Sequence, residues 1–115
     1  MTKLPNGNQA EIPMEKLIGY CLNPEHSSGK HKAKVFKSAL GITASNAEVL
    51  RNLIQQSAVE GEVVQEEKTP FGQIFKVDWL VPESVNSGSE RVILRTIWEI
   101  TAKNKHPRLI SAFVK

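Results

Sequence analysis

At Gly61 the spacing of apolar residues changes from every third or fourth position to every second one. Helices and half-buried strands demand these two different periods, so the switch divides the chain into a helical part and a sheet part. The reading that follows is α+β: three N-terminal helices packed on one face of a four-stranded antiparallel meander. The 115 residues suit a single domain over 1–115, with an N-terminal arm over 1–12, a helical part over 13–60 and a sheet over 62–114.

Pro13 suits the first position of a helix, and Met14, Leu17, Ile18, Cys21 and Leu22 follow on one apolar stripe. Asn23-Pro24 breaks that helix. After the loop 25–29, Ser27 or Ser28 is positioned to cap a helix over 30–40 that stops at Gly41. Ala33, Phe36, Ala39 and Leu40 form its buried arc, and Lys30, Lys34 and Lys37 share the opposite side. Lys32 falls on the arc of Phe36 and Ala39, where a lysine must snorkel out, find a partner or sit in a cleft. Ser45 and Glu48 have capping-box spacing ahead of a third helix that carries Leu50, Leu53, Ile54 and Ala58. Strands are expected over 62–68, 73–81, 90–100 and 107–114, with a turn at 69–72 and a longer loop at 82–88. In the last strand Leu109, Ser111 and Phe113 alternate against Arg108, Ile110, Ala112 and Val114.

Charge narrows the function classes. The net charge is only +3, but Lys30 to Lys37 holds four lysines and no acid. A localised basic patch is the footprint of a polyanion binder, although lysines also solvate ordinary outer helix faces. The single cysteine, Cys21, excludes an internal disulfide and a cysteine zinc site, and fits a reducing compartment. The N-terminus lacks the apolar core of a signal peptide, and no apolar run reaches membrane-span length, so a cytoplasmic protein without membrane contact is expected. No carboxylate cluster is spaced for Mg²⁺ or Ca²⁺, and no phosphate loop occurs, so neither metal nor cofactor is expected.

Several polar residues stand in apolar settings: His26 before a helix, Lys32 on the apolar arc, Arg95 and Thr96 in mid-strand, Arg108 and Ser111 in the last strand. Histidine moves protons near neutrality, and lysine and arginine stabilise charge on phosphate. This set suffices for metal-free cleavage of RNA by its own 2′-OH. The bland alternatives are equally physical. His26 can bond a carbonyl, Thr96 and Ser111 can be ordinary strand residues, Arg95 can pair with Glu99, and Trp79 and Trp98 can be core. On those terms the chain is a non-catalytic binding module, using the helix 30–40 to hold nucleic acid or an acidic protein, or an adaptor with a solvated basic helix.

The run Lys16-Leu17-x-x-Tyr20-x-Leu22-Asn23-Pro24-x-His26-x-x-Gly29-x-x-Lys32-Ala33-x-x-Phe36 is followed by Leu40-Gly41, Phe71-Gly72, Val77-Asp78, Arg95-Thr96-x-Trp98 and Pro107-Arg108-Leu109. From Leu4 to Val114 this pattern resembles a bacterial domain family without an assigned activity. Its members occur at the C-termini of polymorphic, contact-dependent toxins, behind phage head-morphogenesis proteins and as small stand-alone proteins. The resemblance implies a toxin module, similar to the barnase–EndoU–colicin–RelE superfamily of metal-independent ribonucleases. It implies His26 as proton-transfer residue, Lys32 and Arg95 as phosphate holders, and Thr96, Trp98, Arg108 and Ser111 completing the cleft. RNA would lie across the helix from Lys30 to Lys37, on Lys30, Lys34 and Lys37, and across the third and fourth strands, and a small acidic antitoxin or immunity protein would cover the basic cleft. One departure stands out: where the family's last strand more often carries Thr-Thr-x-Tyr, this chain has Ile110-Ser111-Ala112-Phe113, and Phe113 has no proton to donate.

Overall fold

The structure is a computed structural model that describes residues 2–27, 29–82 and 91–115. Its helices are α1 (Met14–Lys16), which runs on into a π turn over Leu17–Cys21, α2 (Lys30–Leu40) and α3 (Ala47–Glu60). Four strands follow, β1 (Glu62–Thr69), β2 (Gly72–Leu80), β3 (Ile93–Thr101) and β4 (Arg108–Val114), in one antiparallel sheet of order β1-β2-β3-β4. The fold is α+β, with three helices and a four-stranded meander. The helices do not form one even layer: α3 lies against β2 and β3, while α2 and the π turn sit against β4 at the sheet margin. No helix among the described residues is long and apolar enough to cross a membrane.

Local chemistry moves several expected boundaries. The first helix widens after one turn, with the Leu22 N–H reaching back five residues to the Leu17 carbonyl. Leu17 and Cys21 remain buried, but the wider turn rotates Ile18 out to 44% exposure. Neither Ser27 nor Ser45 caps a helix. Gly29 is the residue before α2 and has no side-chain cap, and Ser28 lies outside the described residues. Before α3 the capping box is Thr43 with Asn46, closing a 3-10 turn over Ala44–Asn46. Gly41 takes φ 67° at the end of α2, a left-handed conformation that costs a Cβ-bearing residue about 1 kcal/mol. The expected loop 82–88 and the first residue expected for β3, Glu90, fall almost wholly outside the described residues; Val81 N–H still bonds the Val92 carbonyl next to the gap.

The core joins both halves of the chain: Phe36 from α2, Leu50 and Ile54 from α3, Val77 from β2, Leu94 and Trp98 from β3, and Leu109 from β4. Each such side chain contributes about 1.5–3 kcal/mol on burial. Trp98 is wholly buried and donates from its indole Nε1 to Thr96 Oγ1 at 2.8 Å, so the two polar atoms satisfy each other inside the sheet.

The alternation expected in β4 is broken by a β-bulge. Ile97 pairs with Ser111 but Trp98 pairs with Leu109, which leaves Ile110 as the extra residue. Leu109 therefore faces inward with Trp98, and Ala112 inward with Thr96, although they are three residues apart. Ser111 and Phe113 fall on the other side, beside Ile97 and Arg95. The bulge thus separates Ser111 from the face of Leu109.

Replacing Thr96 by valine keeps the shape and leaves the Trp98 N–H without an acceptor. The expected cost is about 1–3 kcal/mol, read as a lower urea midpoint at unchanged slope. An unchanged midpoint would mean that Thr96 is an ordinary strand residue.

Candidate functional site

Lys32 is the residue around which polar side chains gather. It projects from the apolar side of α2, where an ammonium needs acceptors. Its Nζ donates to Tyr20 Oη at 2.5 Å and to Ser111 Oγ at 3.0 Å. The same atom lies 4.7 Å from the centroid of the Tyr20 ring and 5.1 Å from that of Phe113, so two aromatic faces complete its surroundings. Ser111 is only 5% exposed. The π turn delivers Tyr20, α2 delivers Lys32, and the bulged β4 delivers Ser111 and Phe113.

The loop before α2 fixes the other wall. A Cβ at Gly29 would stand 2.3 Å from the Tyr20 carbonyl oxygen, so only glycine lets α2 start this close to the π turn. The Gly29 N–H donates to His26 Nδ1 at 3.0 Å, just ahead of the first turn of α2. The His26 ring stands edge-on to Tyr20, with centroids 4.9 Å apart. Tyr20 therefore touches both His26 and Lys32.

These contacts set the charge states. The hydrogen bond from Lys32 holds the Tyr20 phenol below its ordinary range; partial burial opposes this, and Ser111 and the Lys32 charge reinforce it. Behind it, burial pushes the Cys21 thiol up, against a backbone hydrogen bond from Ala112 and the Lys32 charge. Cys21 is a packing residue, as its place on the apolar stripe suggests. Tyr20 also borders an open cavity of about 320 Å³ lined by Pro13, Glu15, Lys16, Gly19 and Arg108, so that two cations and one carboxylate share its walls.

A second, larger cleft of about 610 Å³ lies on the other side of α2. Lys30, His31, Lys34 and Lys37 rim it, Leu22, Pro24 and Ala33 give it apolar walls, and Thr43, Ala44 and Ser45 close it. At 100° per residue, Lys32 points almost opposite to Lys30, Lys34 and Lys37. The basic cleft and the Lys32 cluster are therefore separated by the body of α2, and the lysine face opens towards the 43–45 turn rather than across the sheet.

Of the residues singled out from sequence, the fold brings His26, Lys32 and Ser111 together around Tyr20, and places Arg108 on the adjoining cavity. Thr96 and Trp98 are interior and bond each other, so neither reaches this cluster. Arg95 is the cross-strand neighbour of Phe113, but its guanidinium is held by Asp78, with Nε to Oδ1 at 2.7 Å and Nη2 to Oδ2 at 2.9 Å. Its partner is thus across the sheet on β2 rather than Glu99 on its own strand, and Lys115 joins the same carboxylate at 3.2 Å. Tyr20 is the member that residue spacing does not reveal. It lies off the apolar stripe of the first helix, and its one mark in the sequence is its place in the pattern Lys16-Leu17-x-x-Tyr20. Among the described residues no group of three or more histidine, cysteine or acidic side chains is arranged to hold a metal ion.

Comparison with known proteins agrees with this architecture. A family model, Domain of unknown function (DUF6883), matches residues 3–115. No curated protein matches the sequence. Among solved structures, a chain of the contact-dependent growth inhibition toxin–immunity protein complex from Klebsiella pneumoniae 342 shares the fold with a TM-score of 0.67. The alignment covers 90% of this chain and 98% of that one at 12% identity. At that identity the likeness is one of fold.

The Asp78 carboxyl is held below its ordinary value, first by the Arg95 hydrogen bonds and then by Lys115. A carboxylate favoured by folding stabilises above its unfolded pKa of about 3.9 and loses that contribution as pH falls through the depressed folded value. Asp78→Asn should therefore lower unfolding stability by roughly 1 kcal/mol at neutral pH, with the gap to wild type closing in acid. Paired urea titrations across that range read the difference; a gap independent of pH would contradict the ion-pair assignment.

Proposed function

The chain belongs to this DUF6883 family, and we propose that it is a toxin-type domain that cleaves RNA by attack of the 2′-OH on the adjacent phosphorus, without a metal. The observation that carries the reading is the Lys32 ammonium, fixed between Tyr20 Oη and Ser111 Oγ with His26 at the Tyr20 ring edge. Such a transesterification needs a cation where negative charge grows on the phosphoryl oxygens and a titratable group at the attacking oxygen. Lys32 supplies the first, with Arg108 as a further cation across the cavity from Tyr20. Tyr20 and His26 are the two candidates for the second. The products would carry 2′,3′-cyclic phosphate ends.

The basic cleft gives the substrate's flanking phosphates a place to lie on Lys30, Lys34 and Lys37, reached around the N-terminus of α2 rather than over the sheet. The fold shared with a chain of a toxin–immunity protein complex supports the toxin setting, and with it a small acidic neutralising protein for a chain of net charge +3. An RNA target places the action in the cytoplasm. A second reading takes that cleft alone: a binding module in which the lysines hold nucleic acid or an acidic protein and nothing is cut.

Incubation with total RNA in excess chelator separates the two. Under the ribonuclease reading wild type cleaves and leaves cyclic phosphate ends, Lys32→Ala and His26→Ala lose about 100-fold or more, and Lys34→Glu weakens cleavage in a salt-dependent way. RNA left intact by wild type, or cut equally by all four proteins, would remove the enzymatic reading.

A further inference from the structure

The ribonuclease reading leaves two groups beside Lys32 that could move the proton, and the geometry distinguishes them. His26 Nδ1 accepts the Gly29 N–H, so the neutral ring carries its own proton on Nε2. In that state neither nitrogen offers a lone pair to a 2′-OH. An imidazolium would carry a proton on Nδ1 and lose the bond that starts α2. Proton traffic through His26 therefore competes with the local fold. Tyr20 has no such conflict: its Oη bonds the Lys32 ammonium and its ring borders the cavity that also holds Arg108.

We infer that Tyr20 is the catalytic base of this site, Lys32 its ionic partner and proton donor, and His26 a positioning residue that holds the Tyr20 ring and the start of α2. The inference rests on the ribonuclease reading. The Tyr20 phenolate takes the proton of the 2′-OH. The 2′-oxygen bonds to phosphorus as the bond from phosphorus to the 5′-oxygen breaks, and the 5′-oxygen keeps that electron pair. It takes a proton from the Lys32 ammonium. The phenol then passes its proton to the Lys32 amine across the 2.5 Å bond, which restores phenolate and ammonium. The products are a 2′,3′-cyclic phosphate and a 5′-OH, with no net gain or loss of protons.

The charges around Tyr20 give the expected pH dependence its sign. Lys32 from α2 and the Ser111 hydroxyl from β4 favour the phenolate, and Cys21 on the same turn opposes it. Lys16, Arg108 and Glu15 line the cavity that Tyr20 borders. The His26 ring meets the phenol edge-on. Cleavage should accordingly rise with pH as the phenol ionises, for as long as the Lys32 ammonium remains to protonate the 5′-oxygen.

The chain contains a single tyrosine, so phenolate absorbance titrates Tyr20 by itself, without any assay of activity. The experiment pairs that titration with rates of cleavage of a labelled oligoribonucleotide in chelator, from about pH 6 to pH 10. Wild type, Tyr20→Phe, Lys32→Met and His26→Asn are compared; the last keeps an oxygen able to accept the Gly29 N–H. The expected results are a phenol midpoint below about 10 that rises in Lys32→Met, and a rate profile in wild type that bends at the optical midpoint. Tyr20→Phe should lose about 100-fold or more, and His26→Asn should keep at least roughly a tenth of the rate with the same bend. A wild type that leaves the oligoribonucleotide intact overturns the ribonuclease reading, and with it any role in cleavage. A wild type that cleaves overturns the Tyr20 assignment alone if Tyr20→Phe matches it, if the bend departs from the optical midpoint, or if His26→Asn is as inactive as Tyr20→Phe.

Discussion

A lysine on the apolar side of a helix is costly unless its ammonium finds acceptors, and the fold around α2 is arranged to supply them to Lys32. Two hydroxyls and two ring faces meet at one Nζ of α2, and they come from two distant places in the chain, the π turn and β4. That single atom ties the helical part to the edge of the sheet. The close approach of Gly29 to the Tyr20 carbonyl lets the π turn and α2 meet near enough for the contact to form. Charge at this point also governs the neighbours, lowering the phenol of Tyr20 and working against the burial that keeps Cys21 neutral.

The sheet contributes through one irregularity. Strict alternation in β4 would put Leu109 and Ser111 on the same face. The extra residue Ile110 lets Leu109 and Ala112 both turn inward while Ser111 and Phe113 turn to Lys32. Bulges commonly re-aim a side chain beside a site, and this one supplies both a core residue and a site residue from adjacent positions. The same alternation keeps Thr96 and Trp98 on the inner face, where their mutual hydrogen bond satisfies two polar atoms. Arg95 shares the outer face with Phe113, yet the Asp78 carboxylate already neutralises it.

Positive charge is divided between two surfaces. Lys30, Lys34 and Lys37 rim a cleft with apolar walls, whereas Lys32 faces β4 on the far side of the same helix. The two settings differ electrostatically: exposed lysines act through solvent over about a Debye length, whereas an ammonium among fixed partners acts only at contact. Their places on opposite sides of α2 let the exposed lysines remain solvated while the Lys32 ammonium lies against aromatic rings.

Periodicity alone was enough for the order of elements, the span of α2 from Lys30 to Leu40, the inward faces of α3 and β2, and the anomaly of Lys32, because each depends on spacing along one segment. Polar residues in apolar settings also marked His26 and Ser111, and family resemblance added the roles expected of them. What acts on Lys32 was decided by contacts between distant segments. Tyr20 arrives because a π turn changes the pitch of the first helix, Ser111 because a bulge changes the register of β4, and an imidazole nitrogen accepts the Gly29 N–H just before α2. Pitch changes and bulges are set by how elements pack against one another, so a count of apolar positions does not contain them. Thr96, Trp98 and Arg95 show the converse: their residue types suit a polar cleft, but the alternation of β3 and the carboxylate on β2 give them structural partners, and only pairing across the sheet determines that.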